Sequence, residues 1–272
     1  MNNKALLSIV CMIGGTATAG LAGPTLFVTS GTDMYRIQLD EPTGGAAFTQ
    51  FDHFTMEAEL VSLTADDNGR LWGTEVRDTN EDGNHILYSI DNVLSSPLLT
   101  NQGDFLSERT SSIVWANGSL HGFTQPSQEL ISIDTDYNAY SVVGTFGEGV
   151  IPPASSGWDS ETNAFYGIRD EQLFRFSMGA ELTTVKVADL DIGYSGPNGG
   201  EIIEGIYYHA VNDGEAMHIF SIDLLTGAST ELIAFEVSGR GPVGFAGVGT
   251  VPAPGALALL GAGGLVGLRR KR

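Results

Sequence analysis

From Leu26 to Val248 the apolar and polar positions alternate in short runs, and no stretch keeps a helical period of useful length. One run recurs as Asn/Thr, Gly/Asn, any residue, apolar, aromatic. Its copies are Asn68-Gly-Arg-Leu-Trp72, Asn117-Gly-Ser-Leu-His121, Thr162-Asn-Ala-Phe-Tyr166 and the looser Ile203-Glu-Gly-Ile-Tyr-Tyr208, with Leu26-Phe27 as a truncated first copy. Taking Phe27, Trp72, His121, Tyr166 and Tyr207 as the ring positions gives spacings of 45, 49, 45 and 41 residues. A second run follows each: Met34-Tyr-Arg-Ile37, Leu87-Tyr-Ser-Ile-Asp91, Leu130-Ile-Ser-Ile-Asp134, Leu173-Phe-Arg-Phe176 and Ile219-Phe-Ser-Ile-Asp223. Thr/Val-rich stretches come next, such as Ser141-Val-Val-Gly-Thr145 and Thr183-Thr-Val-Lys-Val187. Asn, Asp and Gly bound every run, which is the pattern of strands joined by tight turns.

A repeat of this length with four short strands per copy predicts an all-β chain, a five-bladed β-propeller. The first copy starts at its second strand, Leu26 to Thr29, and lacks an inner one. The last copy ends at Phe235, and a spare run, Pro242-Val-Gly-Phe-Ala-Gly-Val248, follows it. That run predicts a closing strand that pairs the two ends of the chain and removes an exposed sheet edge. A six-bladed ring, with a reduced blade around 189–205, is the alternative count. The repeat resembles the loosely defined Leu-Tyr-x-Ile-Asp propellers of exported bacterial proteins.

The two ends break the pattern. Residues 1–22 carry Lys4, an apolar run from Ala5 to about Gly15 and then Ala17-Thr18-Ala19, the parts of a secretory signal peptide cleaved after Ala19. Val10 is too bulky to precede a lipidated Cys11. Residues 251–272 read Val251-Pro252-Ala253-Pro254, an uncharged run from Gly255 to Leu268, and Arg269-Arg270-Lys271-Arg272. As a helix the uncharged run spans about 21 Å, short against a hydrocarbon core of about 30 Å. Its glycines weaken it further. The basic end is expected to stay cytoplasmic, with everything before it outside.

This tail resembles the PEP-CTERM sorting domain of exopolysaccharide-producing bacteria, in which a Pro-Glu-Pro motif, an apolar helix and an Arg-rich end are processed by an exosortase. Ala253 stands where that family has glutamate. The resemblance implies sorting roles for Pro252, Pro254, Arg269, Arg270 and Arg272, and a C-terminal transmembrane-type helix. It also implies an exosortase-type peptidase as partner, and a destination in the outer envelope or the extracellular polysaccharide. Residues 23–250 are then the propeller domain, and the membrane is met through the C-terminal helix only.

Composition narrows the chemistry. The single cysteine lies in the signal segment, so the domain is expected to hold together by core burial. Removing both ends leaves 8 basic residues against all 33 acidic ones, a charge near −25 that repels nucleic acid and anionic lipid. No Gly-x-Ser-x-Gly elbow, P-loop or dinucleotide fingerprint is present.

Calcium is the one cofactor the sequence suggests. Asp78, Asn80 and Asp82, with Gly83 after them, match the front half of a calcium loop. Ser89 stands where the bidentate carboxylate belongs, and the same residues read equally as a solvated acidic hairpin. The histidines form no local zinc pair. His121 fills a repeated aromatic slot and reads as packing, whereas His209 and His218 flank a loop holding Asp213 and Glu215. Acidic and basic loop residues offered to a channel are Asp66, Asp67, Glu108, Arg109, Asp159, Glu161 and Glu201. With no catalytic constellation in view, the sequence points to a binding or structural role at the cell surface. A glycan hydrolase or lyase using two such carboxylates, and a calcium-dependent adhesion module, are the alternatives.

Overall fold

The computed structural model describes residues 23–40, 48–76, 85–106, 108–125, 127–147, 152–177, 181–194, 196, 198–237, 239 and 241–249. Among them are twenty β-strands and no α-helix. The signal segment, the Asp78–Asn84 loop and the tail from residue 251 lie outside the described residues, as does the C-terminal helix expected there.

The strands follow one another as antiparallel meanders of four. The first begins with β1 (Thr25–Ser30), β2 (Asp33–Leu39) and β3 (Phe48–Thr55). The second is β4 (Leu60–Ala65), β5 (Leu71–Val76), β6 (His85–Asp91) and β7 (Leu98–Leu106), and the third β8 (Arg109–Ala116), β9 (Ser119–Gln125), β10 (Glu129–Asp134) and β11 (Ala139–Phe146). The fourth is β12 (Ser155–Asp159), β13 (Ala164–Arg169), β14 (Gln172–Ser177) and β15 (Glu181–Asp189). The fifth is β16 (Asn198–Ile203), β17 (Ile206–Asn212), β18 (Ala216–Asp223) and β19 (Ser229–Glu236). The last strand, β20 (Phe245–Val248), pairs antiparallel with β1, setting Phe27 opposite Ala246. The spare C-terminal run thus supplies the strand that the first copy lacks. Three of the resulting sheets have four strands. The third and fourth meanders join into one eight-stranded sheet through a short parallel contact, Thr145 with Glu181 and Phe146 with Leu182.

The turn residues explain why the meanders form where they do. Asn117-Gly118 and Glu204-Gly205 both take positive φ at each position, 52° and 74° in the first and 52° and 79° in the second. That is the type I′ geometry whose twist suits a two-residue hairpin. The Glu204-Gly205 turn also corrects the repeat. Ser221 lies opposite Tyr208, as Ser89 lies opposite Trp72, Ser132 opposite His121 and Arg36 opposite Phe27. The fifth ring position is therefore Tyr208, not Tyr207. A slip of one residue reverses the face of a strand, and the packing agrees. Tyr208 packs with Leu26 and Ile37 of the first meander, while Tyr207 packs with Tyr166 and Leu173 of the fourth.

Each hydrophobic cluster sits where one meander packs on the next. Phe27 and Leu63 share a cluster, as do Trp72 and Ile113, Phe123 and Phe165, Tyr166 and Phe220, and Tyr208 and Val28. The first strands of the meanders lie against one another in succession: β4 on β8, β8 on β12, β12 on β16, β16 on β20 and β20 on β4. Small residues permit this approach. A Cβ added to Gly157 would stand 2.5 Å from the Ile202 backbone nitrogen, and one on Gly199 3.0 Å from that of Phe245.

Gly157→Ala should therefore lower the unfolding free energy by about 1–3 kcal/mol through overpacking. Phe245→Ala, which empties a buried site on the closing strand, should cost about 3–5 kcal/mol. Denaturant titration of both variants reads these losses, and unchanged midpoints would mean that β20 and the inner strands do not carry the fold.

Candidate functional site

The inner strands expose backbone N–H groups on an edge that no ladder covers, and side chains from the neighbouring strand meet them. Ser62 Oγ accepts from Ile113 N at 2.9 Å, and Thr64 Oγ1 accepts from Trp115 N at 2.9 Å. The Ser112 and Ser156 hydroxyls lie 2.6 Å apart, and Thr29 Oγ1 accepts from Gly244 N at 2.7 Å while donating to the Leu60 carbonyl at 2.9 Å. Buried N–H groups need such partners, since an unpaired one costs about 1–3 kcal/mol.

Glu201 belongs to the same network. Thr64 Oγ1 donates to its Oε1 at 2.6 Å and Gly247 N donates to its Oε2 at 2.9 Å, so one carboxyl ties β4, β16 and β20 together. Burial pushes its pKa up to about 8, against the lowering effect of the hydrogen bonds from Thr64 and the backbones of Gly247 and Ala65. Beside it, the Ser155 hydroxyl lies 3.0 Å from the Tyr207 hydroxyl and 3.4 Å from His209 Nδ1. Burial drives the His209 ring down to about 3, so it is neutral. His85, also buried, is lowered to about 4 by burial and then by Arg109.

At the end where the inner strands begin, a cavity of about 540 Å³ opens. Its lining draws on every meander: Glu59 and Val61 at β4, Arg109, Thr110 and Ser111 on β8, Gln125 closing β9, Ala154 before β12, Asn198 opening β16, and Pro242 and Val243 before β20. A second cavity of about 500 Å³ shares Ala154, Gly196 and Asn198 with it and adds Arg169, Asp170, Glu171, Tyr194 and His209.

The residues expected at a channel separate into three groups. Arg109 lines the larger cavity, and Glu108 accepts from Ser127 N at 3.3 Å beside it. Glu201 lies within the inner strands. Asp66 and Asp159 fold their own hairpins at the opposite ends of β4 and β12: Asp66 accepts from Asn68 N and Arg70 N, and Asp159 from Glu161 N and Thr162. Asp67 and Glu161 are exposed in those turns. Glu59 and Asp66 flank the six-residue β4, which is about 17 Å long, so the acidic residues at its two ends do not converge.

His121 packs edge-on against Phe165, as its slot in the repeat suggests. His209 and His218 do not share a ligand: His218 lies between Glu231, at 2.8 Å, and Asp213, at 3.3 Å, and stacks on Tyr194. No group of three metal-ligating side chains occurs among the described residues. Asp78, Asn80 and Asp82 fall outside them, as do Ala19, Pro252, Pro254, Arg269, Arg270 and Arg272. Sequence reasoning passed over Glu59, Ser111, Gln125 and Asn198. Their one signal is position, at a junction where an outer strand leads to the next inner one or where a second strand ends.

No family model matches the chain, and no curated protein does. The crystal structure of a nidogen/laminin complex contains a β-propeller chain that matches with a TM-score of 0.50 and 10% identity, over 83% of this chain and 98% of that one. The fold is β-propeller-like. An auxiliary nutrient-binding protein from Bacteroides ovatus matches at a TM-score of 0.44 and 11% identity, over 82% of this chain and 65% of that one.

The titrating groups give opposite trends. Native Glu201 keeps its proton up to about pH 8, whereas the unfolded chain releases it near 4.5, so stability falls as pH rises between those values. His209 and His85 bind protons in the unfolded chain below 6.5 but not in the native one, so they destabilise the fold as pH falls below that value. Between pH 6.5 and 8, Glu201 alone of the three still titrates. Denaturation midpoints should decline across that window, by up to about 2 kcal/mol, and the decline should flatten in Glu201→Gln. An identical slope in the variant would assign the effect to another group.

Proposed function

We propose that this chain is an exported, five-bladed β-propeller with a binding role at the cell surface, and that the larger cavity is its binding site. The single observation that carries the binding reading is the convergence of all the meanders on one concave, mixed polar and apolar lining, the usual place and character of a ligand pocket. The succession of inner-strand contacts and the pairing of β20 with β1 support the five-bladed reading. Among the described residues that line the larger cavity, Glu59 is the one carboxylate. Two-carboxylate glycan hydrolysis needs a second at about 5–10 Å, so binding accounts for the lining better than that chemistry does.

The destination rests on the termini. A leader ending at Ala19, and a tail built from Pro252, Pro254 and a basic end, suit export followed by sorting through an exosortase-type peptidase into the envelope or its polysaccharide. Among the described residues no helix is long and apolar enough to cross a membrane.

Two experiments test these readings. Ala154→Trp places an indole in the wall common to both cavities. It should abolish binding on a glycan panel with little effect on stability, within about 0.5 kcal/mol for an exposed position. Retained binding would remove the cavity from consideration. Deleting residues 251–272 should convert an envelope-retained protein into a freely secreted one, and unchanged retention would refute the sorting role of the tail.

A further inference from the structure

Among the described residues of this acidic chain, the basic side chains are nearly all engaged. Arg36 pairs with Asp52, Arg70 with Asp91, Arg169 with Asp170 and Lys186 with Asp189, and Arg175 donates to the Thr162 carbonyl. Arg109 differs: among the described residues its guanidinium makes no ion pair and no hydrogen bond. With so many carboxylates among the described residues, a guanidinium that pairs with none of them is a departure that location explains. Arg109 opens β8 on the wall of the larger cavity.

Two further groups in that wall are unmatched. Asn198 Oδ1 and Thr110 Oγ1 are buried and have no hydrogen-bond partner among the described residues. Buried polar atoms are paired in the great majority of cases, by protein, water or ligand. The Asn198 amide donates to the Gly196 carbonyl at 3.2 Å, and its terminal torsion is soft, so Oδ1 can turn toward a donor in either cavity. Asn198 borders both cavities, and the smaller one presents Tyr194, half-buried and backed by the His218 ring at 3.6 Å. The wall therefore offers one site for an anion, several for hydroxyl groups (Glu59, Ser111, Gln125 and Asn198), and an aromatic face next door.

We propose that the cavity takes a hydroxylated carboxylate of the uronic acid type, with Arg109 gripping the carboxylate and Asn198 accepting a sugar hydroxyl. The assignment rests on the cavity being the binding site. A guanidinium matches a carboxylate with two parallel hydrogen bonds, which supplies selectivity for the acid over the neutral sugar. It also places the one attractive charge where the surrounding acidic field would otherwise repel such a ligand. A zwitterionic amino acid could use Arg109 and Glu59, but it would leave the run of uncharged hydrogen-bonding groups without partners.

Calorimetric titration of the full-length chain with glucuronate, glucose and alanine tests the assignment, with Arg109→Gln as the variant because Arg109 is exposed. Glucuronate should bind in preference to glucose, and the variant should weaken it at least about tenfold, as loss of a charge-assisted bidentate contact does. Salt should weaken the wild type more than the variant. Equal binding of glucose and glucuronate, insensitive to Arg109→Gln but lost in Ala154→Trp, would overturn the acid selectivity and leave the cavity as the site. Binding of alanine alone would overturn it in favour of a zwitterion. Glucuronate binding that survives Ala154→Trp would overturn the location, and no binding of any of the three would overturn the ligand class.

Discussion

Inner strands that meet edge to edge cannot ladder with one another, and the rest of the molecule depends on how that problem is met. Their backbones must approach closely, so glycine stands at Gly157 and Gly199 where a Cβ would strike a neighbouring backbone. Their exposed N–H groups must still be paired, so Ser62, Thr64 and Thr29 reach across from strand to strand. Glu201 completes the set by receiving hydrogen bonds from two other inner strands. A charged carboxylate in so dry a place is costly, which is why its proton is held so far above the ordinary range.

The same constraint creates the cavity. Inner strands packed on small side chains leave little space along their length, and a cavity opens where they begin and the connecting segments diverge. Groups at that end are freed from the stitching that binds the strands farther in. Asn198 and Thr110 have polar atoms unmatched there, while the Ser62, Ser112 and Ser156 hydroxyls a few residues on are hydrogen-bonded.

Much of the fold is legible from local pattern. Alternation fixes strands, Asn-Gly and similar pairs fix turns, and counting strands leaves one missing at the start and one spare at the end. That is enough to predict the pairing of β20 with β1. The Tyr207 assignment went astray because two adjacent aromatics offered two registers, and the alternation alone does not choose between them. The Glu204-Gly205 turn does, by its backbone geometry. The acidic residues were misleading for a related reason. Asp66 and Asp159 have the composition of a site and the position of a turn, and they spend their oxygens on their own hairpins.

Periodicity and turn chemistry, both local properties, let the sequence by itself determine an all-β chain of repeated meanders, the strand that joins its ends and the packing role of His121. They also set its acidity and the two unusual termini. Only the tertiary structure decided which side chains share a wall. Glu59, Arg109, Gln125 and Asn198 are separated by tens of residues and belong to different meanders, and they become neighbours because the inner strands begin at a common end. That proximity arises from the packing of whole sheets, for which no short window of sequence carries a signal.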